Sequence, residues 1–397
     1  MIVAGRGDRL HKRKAWTIAL VVLTLQSFCI VHLLLSRSNL DGCFPNDCSE
    51  RPQHQQQHLS ISGFSASSPP SSVLPKDGIE NKLVTTSTDP PFHIFVYPEK
   101  VDKYISRNII NNGIYEPPTT ELIYKLLPAG LLDRDVKQKK DYVAVDLGSN
   151  LGYYSLLLAS RGMHVISFEA SPDTAWLQRS SAALNGLLLS TPTTQSAASN
   201  GGSLTIIDRG VTDEPTIGRL SRHSDSPGMT SFSAGDNFDL QTGDAGTALD
   251  VDIQLVRAKD VLEELGIPST TETPTDEQSH ILHLLKIDVE GFELKALKGL
   301  DLDLYRFRHI VMEYFPDMLR GAGTDPPELL LYILSHGYTF YEIVGSTGEL
   351  REINVGDNDA TGLRDWAENA EKKSGSGFHI NLFASIAVED LEGFIEE

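Results

Sequence analysis

The stretch that decides the fold is VAVDLGSNLGYY, residues 143–154. It opens with a short apolar run that is typical of a buried parallel strand, and the strand ends on an acid, Asp146. Small or polar residues follow at alternate positions, Gly148, Asn150 and Gly152, before an amphipathic run begins. A strand, a glycine-rich turn and a helix in this order present backbone N–H groups to a nucleotide-like ligand. The stretch therefore predicts an α/β fold with a ligand at this turn.

The spacing of the glycines argues against two common nucleotide sites. A dinucleotide fingerprint has the pattern G-x-G-x-x-G, whereas here an acid precedes two glycines that are separated by three residues. No Lys-Ser or Lys-Thr pair follows, as a phosphate loop would require. A tight turn that binds no ligand remains the structural alternative.

Acidic residues also follow two other predicted strands. Glu169 ends the strand at residues 164–169 and lies 23 residues after Asp146, where such folds place the carboxylate that binds ribose hydroxyls. Asp288 and Glu290 follow a nearly continuous apolar run at residues 281–287. Because ligands of α/β sheets bind at the carboxyl ends of the strands, we expect these acids to lie beside the glycine turn.

Lys286 is unusual because it lies inside a strand that we expect to be buried. A buried lysine needs an acidic partner, and an acid at the ligand site would supply one. Asp288 and Glu290 therefore have a structural alternative, in which they only cap the next helix and pair with Lys286. Glu116 also has two interpretations, a residue of the ligand site or an acid that interacts with a helix dipole.

The glycine turn and the segment KIDVEGFELKALKGL, residues 286–300, together resemble the FkbM-type family of S-adenosylmethionine (SAM)-dependent methyltransferases. The resemblance is in the acid-x-Gly-x-Asn-x-Gly turn and in the K-[IV]-D-[VI]-E-G-x-E segment, and it extends over roughly residues 102–384. It implies a Rossmann-like sheet of seven strands, mostly parallel with the last strand antiparallel, and with helices on both faces. It also implies methyl transfer, most often to a hydroxyl oxygen of a sugar or natural product.

The resemblance assigns roles to particular residues. The methionine end of SAM is expected at Asp146, Gly148, Asn150 and Gly152, and its ribose at Glu169. The adenine pocket is expected to involve Ala170, Gly210 and Asp213.

A sugar hydroxyl is a poor nucleophile, so a base or a metal ion at the site would help the reaction. Asp288 is the first candidate for the base, and Glu290 is the second. In an alternative arrangement, Asp288 and Glu313 bind Mg²⁺, which lowers the pKa of the hydroxyl. N-methylation and a catalytically silent SAM-fold protein that acts as a scaffold at the membrane remain competing hypotheses.

The N-terminal part of the chain predicts a membrane anchor. A basic tail at residues 1–14 precedes an apolar segment, Ala15–Leu35, which is long enough to cross a bilayer. The positive-inside rule leaves the tail in the cytosol, so we expect a type II protein with its catalytic domain in the Golgi or ER lumen. Residues 36–91 are rich in Ser, Pro and Gln, which predicts a flexible stem, and they include Cys43 and Cys48, which are free or paired.

Residues 92–397 are predicted to form the methyltransferase domain, with polar insertions at about 214–250 and 268–279. Most of the first insertion is expected to be disordered, whereas its most apolar segment, PGMTSF at residues 227–232, is expected to be ordered. The formal net charge of the chain is −20, which argues against binding to nucleic acid through phosphates. The chain is expected to have two partners. One is a methyl acceptor, which is a glycan or a small molecule, and the other is the membrane, which residues 15–35 contact.

Overall fold

The computed structural model describes most of the C-terminal three quarters of the chain. The described residues are 81–128, 131, 142–188, 202–223, 226–233, 251–270, 281–344, 348–353, 360–375, 377–386 and 391, with the backbone alone in 221–233. All of them belong to one unit of the chain, Gly63–Glu397. The predicted anchor Ala15–Leu35 and both stem cysteines lie outside the described residues. Within the described residues, no helix has the length and apolar character to cross a membrane.

The described residues alternate between strands and helices. The strands are β1 (Lys82–Thr85), β2 (His93–Val96), β3 (Val143–Leu147), β4 (His164–Phe168), β5 (Ser203–Ile207), β6 (Gly210–Val211), β7 (Thr216–His223), β8 (Ser226–Ser233), β9 (Val251–Val256), β10 (Leu282–Ile287), β11 (Phe307–Tyr314), β12 (Thr339–Val344), β13 (Glu349–Glu352) and β14 (Ile380–Ser385). The helices are α1 (Ile105–Asn112), α2 (Pro117–Leu126), α3 (Tyr153–Ser160), α4 (Pro172–Leu184), α5 (Ala258–Glu264), α6 (Glu293–Leu300), α7 (Pro316–Gly321), α8 (Pro326–Ser335) and α9 (Ala360–Ser374).

The central sheet has the strand order β13-β12-β14-β11-β10-β3-β4-β5. The five strands from β11 to β5 are parallel, while β14 runs antiparallel to both of its neighbours, β11 and β12. The fold is therefore α/β with a large, mostly parallel sheet, and the predicted antiparallel last strand is confirmed. The predicted number of seven strands is wrong, because β13 adds an eighth strand at the edge of the sheet.

Both faces of the sheet are covered, which explains the apolar runs in its central strands. Every residue of β3 and β10 is buried, and their apolar side chains pack into two apolar cores. One core includes residues of α5, α6, α8 and α9, and the other includes residues of α1, α2, α3 and α4. This packing fixes the carboxyl ends of β3, β4, β10 and β11 at one edge of the sheet.

A second sheet contains β7, in the part of the insertion that was expected to be disordered, and β8, which includes the segment 227–232 that was expected to be ordered. Its four strands have the order β6-β9-β7-β8, and β7 pairs antiparallel with both β8 and β9. Pairing buries Leu220, Ile253 and Leu255 on one face of this sheet, against Ala170. The rest of this predicted insertion, residues 234–250, and most of the second insertion, residues 271–279, lie outside the described residues.

The structured region begins earlier than the predicted boundary at residue 92. Strand β1 lies inside the predicted stem, and it pairs antiparallel with β2 in a two-stranded sheet. Between these strands, the backbone N–H of Phe92 donates to the Thr86 hydroxyl at 3.0 Å. Strand β2 in turn contacts α4, where its His93 and Phe95 N–H groups donate to Asn185 and Ser181. These contacts explain why residues that resemble a stem in composition form ordered backbone.

Candidate functional site

A cavity of about 490 Å³ lies at the carboxyl ends of β3, β4, β10 and β11. Its lining includes most of the residues that the sequence predicts for a site: Gly148, Asn150, Glu169, Ala170, Gly210, Asp288 and Glu290. Glu116 and Glu313 also line it. The other three predicted residues, Asp146, Gly152 and Asp213, lie outside the lining.

Gly148 joins the two sequence motifs in space. Its φ angle is +79°, and a Cβ atom at this position would lie 1.8 Å from the backbone carbonyl oxygen of Asp288. The N–H groups of Gly148 and Ser149 donate to the Phe168 carbonyl at 3.0 and 2.9 Å, which ties the turn to the end of β4. The turn therefore requires glycine for both its conformation and its close approach to the loop after β10.

Glu169 holds the glycine turn from the neighbouring strand. Its carboxylate accepts hydrogen bonds from the N–H groups of Asn150 at 2.7 Å and Ser171 at 2.8 Å. Burial raises the pKa of Glu169 to about 7, although these two bonds favour its charged form. Because Glu169 also lines the cavity, its carboxyl group can contact a ligand as well as the turn.

Asp146 and Gly152 support the turn from behind. Asp146 is buried and accepts a hydrogen bond from the Ser155 hydroxyl of α3 at 2.6 Å. Burial raises the pKa of Asp146, and its Oδ1 atom has no hydrogen-bond partner among the described residues. Gly152 has a φ angle of +81°, and a Cβ atom there would lie 2.4 Å from the Gln178 side chain. Both residues thus contact the protein interior rather than the cavity.

The apolar wall, which we define as Leu220, Ile253 and Leu255, lines the cavity beside Ala170 and Gly210. Sequence reasoning missed the contribution of Leu220 to the wall because it treated most of residues 214–250 as a disordered insertion. The alternation of buried and exposed residues in β7 and β9 is the signal that could have identified it. Asp213 does not take part, because the chain leaves the cavity after β6 pairs with β9.

Lys286 has the acidic partner that its burial requires. Its Nζ atom lies 2.8 Å from Asp288 Oδ2 and 5.5 Å from the centre of the Tyr154 ring. The Tyr154 hydroxyl donates to Glu116 Oε2 at 2.7 Å, so the contacts continue to the loop before α2. Burial alone would lower the pKa of Lys286. The charges of Asp288, Asp146 and Glu116 raise the pKa by more than burial lowers it, so the net shift is upward. The ammonium group therefore remains charged beside the Asp288 carboxyl group.

Glu290 and Glu313 are the acids of the cavity whose charge is least compensated. Neither carboxyl group is hydrogen-bonded to another described residue. Burial, and then the charge of Asp288, raise the pKa of both groups. Their neutral forms are therefore favoured, which makes Glu290 a poorer base than Asp288.

The predicted helix-capping alternative is wrong for Asp288 and Glu290. No side chain among the described residues caps α6, and Glu293 Oε1 instead accepts the N–H groups of Val289 at 3.2 Å and Gly291 at 3.1 Å in the loop before the helix. The pairing half of the alternative is correct for Asp288, which bonds Lys286. Asp288 nevertheless lines the cavity, so it can contact a ligand although it is paired with Lys286.

Backbone strain is concentrated at the cavity. Four described residues other than glycine have a positive φ angle: Glu116, Asn150, Glu290 and Asp301. The first three, with φ angles of 40°, 51° and 53°, line the cavity. Such conformations cost on the order of 1–3 kcal/mol each, and they persist where the surrounding structure imposes them. This clustering supports a functional role for the loops that carry Glu116 and Glu290.

Further lining residues come from the last strand of the sheet and its neighbour. Phe315 follows β11, His379 precedes β14, and Asn381 lies in β14. Sequence reasoning missed these residues because no local motif marks them. Within the part of the chain that the structure describes, no group of three or more His, Cys, Asp or Glu side chains could hold a metal ion.

Comparisons with known proteins agree with the predicted resemblance. A family model described as the methyltransferase FkbM domain matches residues 146–340. The methyltransferase sdnD of Sordaria araneosa is similar to this chain, with 29% identity over 176 residues. The alignment covers 43% of this chain and 64% of the relative, so the chain spans somewhat less than two thirds of that protein's length.

Proposed function

We propose that this chain, whose residues 146–340 match an FkbM methyltransferase domain, is a SAM-dependent methyltransferase that acts on a hydroxyl oxygen. The acceptor class that we propose is a glycan, a glycoconjugate or a small molecule. The observation that carries the proposal is the single cavity in which the Gly148 turn, Glu169, the apolar wall and the Asp288 loop meet.

The residues of the cavity fit SAM by shape and by chemistry. The volume of about 490 Å³ lies within the roughly 300–1,000 Å³ that is common for ligand pockets. Glu169 would bind the ribose hydroxyls, and the turn at Gly148 and Asn150 would lie along the methionine end. The apolar wall and Ala170 offer an apolar surface that suits the adenine ring. Asp146 and Gly152 would act indirectly, by supporting the turn.

The chemistry divides between the cofactor and the protein. When bound, SAM supplies an electrophilic methyl group, and cleavage of its carbon–sulfur bond leaves neutral S-adenosylhomocysteine (SAH). The residues of the chain orient the acceptor and remove its proton. Asp288 is the favoured base, because it lines the cavity beside Lys286, whereas burial favours the neutral forms of Glu290 and Glu313. The acceptor proton would pass to Asp288 and then to solvent.

We also propose that residues 15–35 anchor the protein in the membrane, with the cavity on the lumenal side of the Golgi or ER. The support is the basic tail before the apolar segment. Protease protection of the C-terminal region in intact microsomes is the expected outcome, and digestion of that region without detergent would contradict the proposed orientation.

Calorimetric titration of the full chain with SAM and SAH tests the cofactor assignment. We expect micromolar dissociation constants that rise at least about tenfold in Glu169→Gln, since a loss of about 1.4 kcal/mol corresponds to a factor of ten. Glu349→Gln, which removes an exposed acid of β13, serves as the control and should bind as the wild type does.

A folded chain that binds neither SAM nor SAH would refute the enzyme hypothesis. That result would leave the competing hypothesis of a silent scaffold protein. Circular dichroism of each preparation shows whether the chain is folded.

A further inference from the structure

Two carboxyl groups of the cavity, those of Glu290 and Glu313, have no partner within the described part of the chain. Both line the cavity, and neither is hydrogen-bonded to another described residue. The other two acids of the same group are engaged. Asp288 Oδ2 lies 2.8 Å from Lys286 Nζ, and Glu116 accepts the Tyr154 hydroxyl at 2.7 Å. Glu290 and Glu313 are therefore the acids of the group that a ligand charge affects most directly.

The loop that carries Glu290 packs against the glycine turn. A Cβ atom at Gly148 would lie 1.8 Å from the carbonyl oxygen of Asp288, so no side chain separates the turn from this loop. The Asp288 N–H group also donates to the Leu147 carbonyl at the end of β3, at 2.9 Å. We assign the turn to the methionine end of SAM, so the sulfur of the cofactor belongs to the same region as the loop.

Glu313 reaches this region from the neighbouring strand. Strands β10 and β11 are parallel, with Ile287 opposite Met312, so Asp288 and Glu313 follow at the same level of the sheet. Burial, and then the charge of Asp288, raise the pKa of both Glu290 and Glu313. The surroundings therefore favour the neutral forms of both groups.

The remaining charges around these two groups are mostly negative. The other titratable or charged residues that line the cavity or act on Glu290 and Glu313 are Asp102, Tyr115, Glu116, Glu169, Arg209, Lys286, Asp288, Glu293 and His379. Carboxyl groups outnumber the two cations in this set, and Lys286 is paired with Asp288. A cationic ligand therefore enters a region in which carboxyl groups are in excess.

SAM and SAH differ by one methyl group and one positive charge, because the sulfonium of SAM becomes a neutral sulfide in SAH. A positive charge within about 4–6 Å of a carboxyl group lowers its pKa by roughly 1 to 3. SAM therefore favours ionisation of nearby carboxyl groups that remain neutral beside SAH.

We infer that Glu290 and Glu313 distinguish SAM from SAH by charge, because they release protons to solvent when SAM binds and retain them when SAH binds. In each group the O–H bond breaks, and the resulting carboxylate pairs with the sulfonium. The inference rests on the proposed function and assigns to two residues the preference for the cofactor over its product. Asp288, which is already paired with Lys286, keeps its proposed role as the base.

Calorimetric titration of the full chain with SAM and with SAH, each in phosphate and in imidazole buffer, tests the inference. The two buffers differ in their enthalpies of ionisation, so the difference in binding heat gives the number of protons released. At about pH 7 we expect SAM to release at least about 0.3 proton more than SAH per molecule bound. Equal release by the two ligands would overturn the inference.

The same preference should depend on pH. Proton release makes the affinity for SAM increase with pH, whereas the affinity for SAH gains no such term from these groups. The ratio of the SAH dissociation constant to that of SAM should therefore rise at least about twofold from about pH 6 to about pH 7.5. A ratio that is constant or falls over this range would contradict the inference.

Variants show whether these two carboxyl groups are the source of the protons. The double variant Glu290→Gln with Glu313→Gln keeps the shape of both side chains but has no carboxyl proton to release. It should lose at least about half of the extra release with SAM. Glu349→Gln, which changes an exposed acid of β13, should retain all of it. Full release in the double variant would contradict the assignment to Glu290 and Glu313.

The binding measurement separates the inference from the function on which it rests. A chain that binds both ligands with equal proton release contradicts only the role of Glu290 and Glu313. A folded chain that binds neither SAM nor SAH contradicts the proposed function, and the inference fails with it.

Discussion

Gly148 occupies a position at which two constraints act together. Its positive φ angle disfavours any other residue, and the carbonyl oxygen of Asp288 leaves no space for a side chain. Gly186, which follows α4, separates the two effects, because its φ angle is +70° but no atom lies within 4 Å of the position of a Cβ. The pair of glycines therefore distinguishes the cost of backbone strain from the cost of a steric clash.

Gly186→Ala should lower the free energy of unfolding by about 1–2 kcal/mol, which is the usual cost of a left-handed conformation. Gly148→Ala should lower it by more than about 3 kcal/mol, because a backbone atom must also move. Urea denaturation of the two variants and the wild type measures both values. Equal losses would show that the loop after β10 can move away from the turn without cost.

Glu293 makes the stability of the protein depend on pH. Burial raises its pKa from 4.5 to about 7, and its Oε2 atom has no hydrogen-bond partner among the described residues. Between these two pH values the folded state binds the proton more tightly than the unfolded state does. The free energy of unfolding should therefore fall as the pH rises from 4.5 to 7, and remain lower above that range.

Glu293→Gln removes this titration while it keeps an oxygen that can accept the N–H groups of Val289 and Gly291. Between pH 5.5 and pH 8 the contribution of Glu293 to the free energy of unfolding changes by about 2 kcal/mol. This value follows because each unit of pKa shift corresponds to about 1.36 kcal/mol. The variant should therefore lose about 2 kcal/mol less stability than the wild type over this range. Parallel pH profiles from urea denaturation would contradict the assignment of the shifted pKa to Glu293.

At the scale of elements, the sheet of β6, β7, β8 and β9 determines one side of the cavity. On β7 and β9, residues that face the cavity alternate with residues that face solvent, such as Ile217, which is 69% exposed. Ile253→Ala should weaken SAH binding about tenfold, since it removes apolar surface from the wall that we assign to the adenine ring.

Ile217→Ala is the matched control, because it makes the same change on the opposite face of the same sheet. Its SAH dissociation constant, measured by calorimetry, should equal that of the wild type. If the two variants weaken binding equally, the sheet affects SAH only through its stability. If neither variant weakens SAH binding, the adenine ring does not contact the wall.

Sequence reasoning predicted those elements whose local pattern is strong. Strands β3 and β10 are apolar throughout because helices cover both of their faces, and each leads into an acid or a glycine at the sheet edge. The spacing between Asp146 and Glu169 also placed Glu169 at the turn. In contrast, β7 buries only one face, so its sequence is half polar and resembles a loop.

Other parts of the site depend on contacts between distant segments. Asn381 and Glu313 become neighbours only because β14 pairs with β11, and no motif in either strand predicts that pairing. Asp213 was assigned to the adenine pocket from its place after a strand, but the pairing of β6 with β9 directs the chain away. Such outcomes follow from tertiary pairing, which local patterns do not encode.

At the scale of the whole molecule, the short sheet of β1 and β2 extends the folded unit toward the N-terminus. A chain that begins at Asn81 keeps the β1–β2 pairing and the hydrogen bonds of Thr86, and a chain that begins at Phe92 loses them. The longer chain should melt roughly 2–4 °C higher for each 1 kcal/mol that these contacts contribute to the stability of the domain. Calorimetric melting of both chains measures the difference, and equal melting temperatures would show that β1 adds no stability.

The strand order β12-β14-β11 has a consequence for the time at which the site becomes complete. During synthesis, β11 and β12 emerge from the ribosome before β14, which must then enter the gap between them. Until that happens, both strands expose unpaired edges, which are templates for pairing with another chain. A nascent chain can already hold the turn at Gly148 against Glu169, but it has neither His379 nor Asn381. The cavity therefore gains its last wall only as translation nears the C-terminal strand, and a chain released before that point would retain two open edges and an unfinished site.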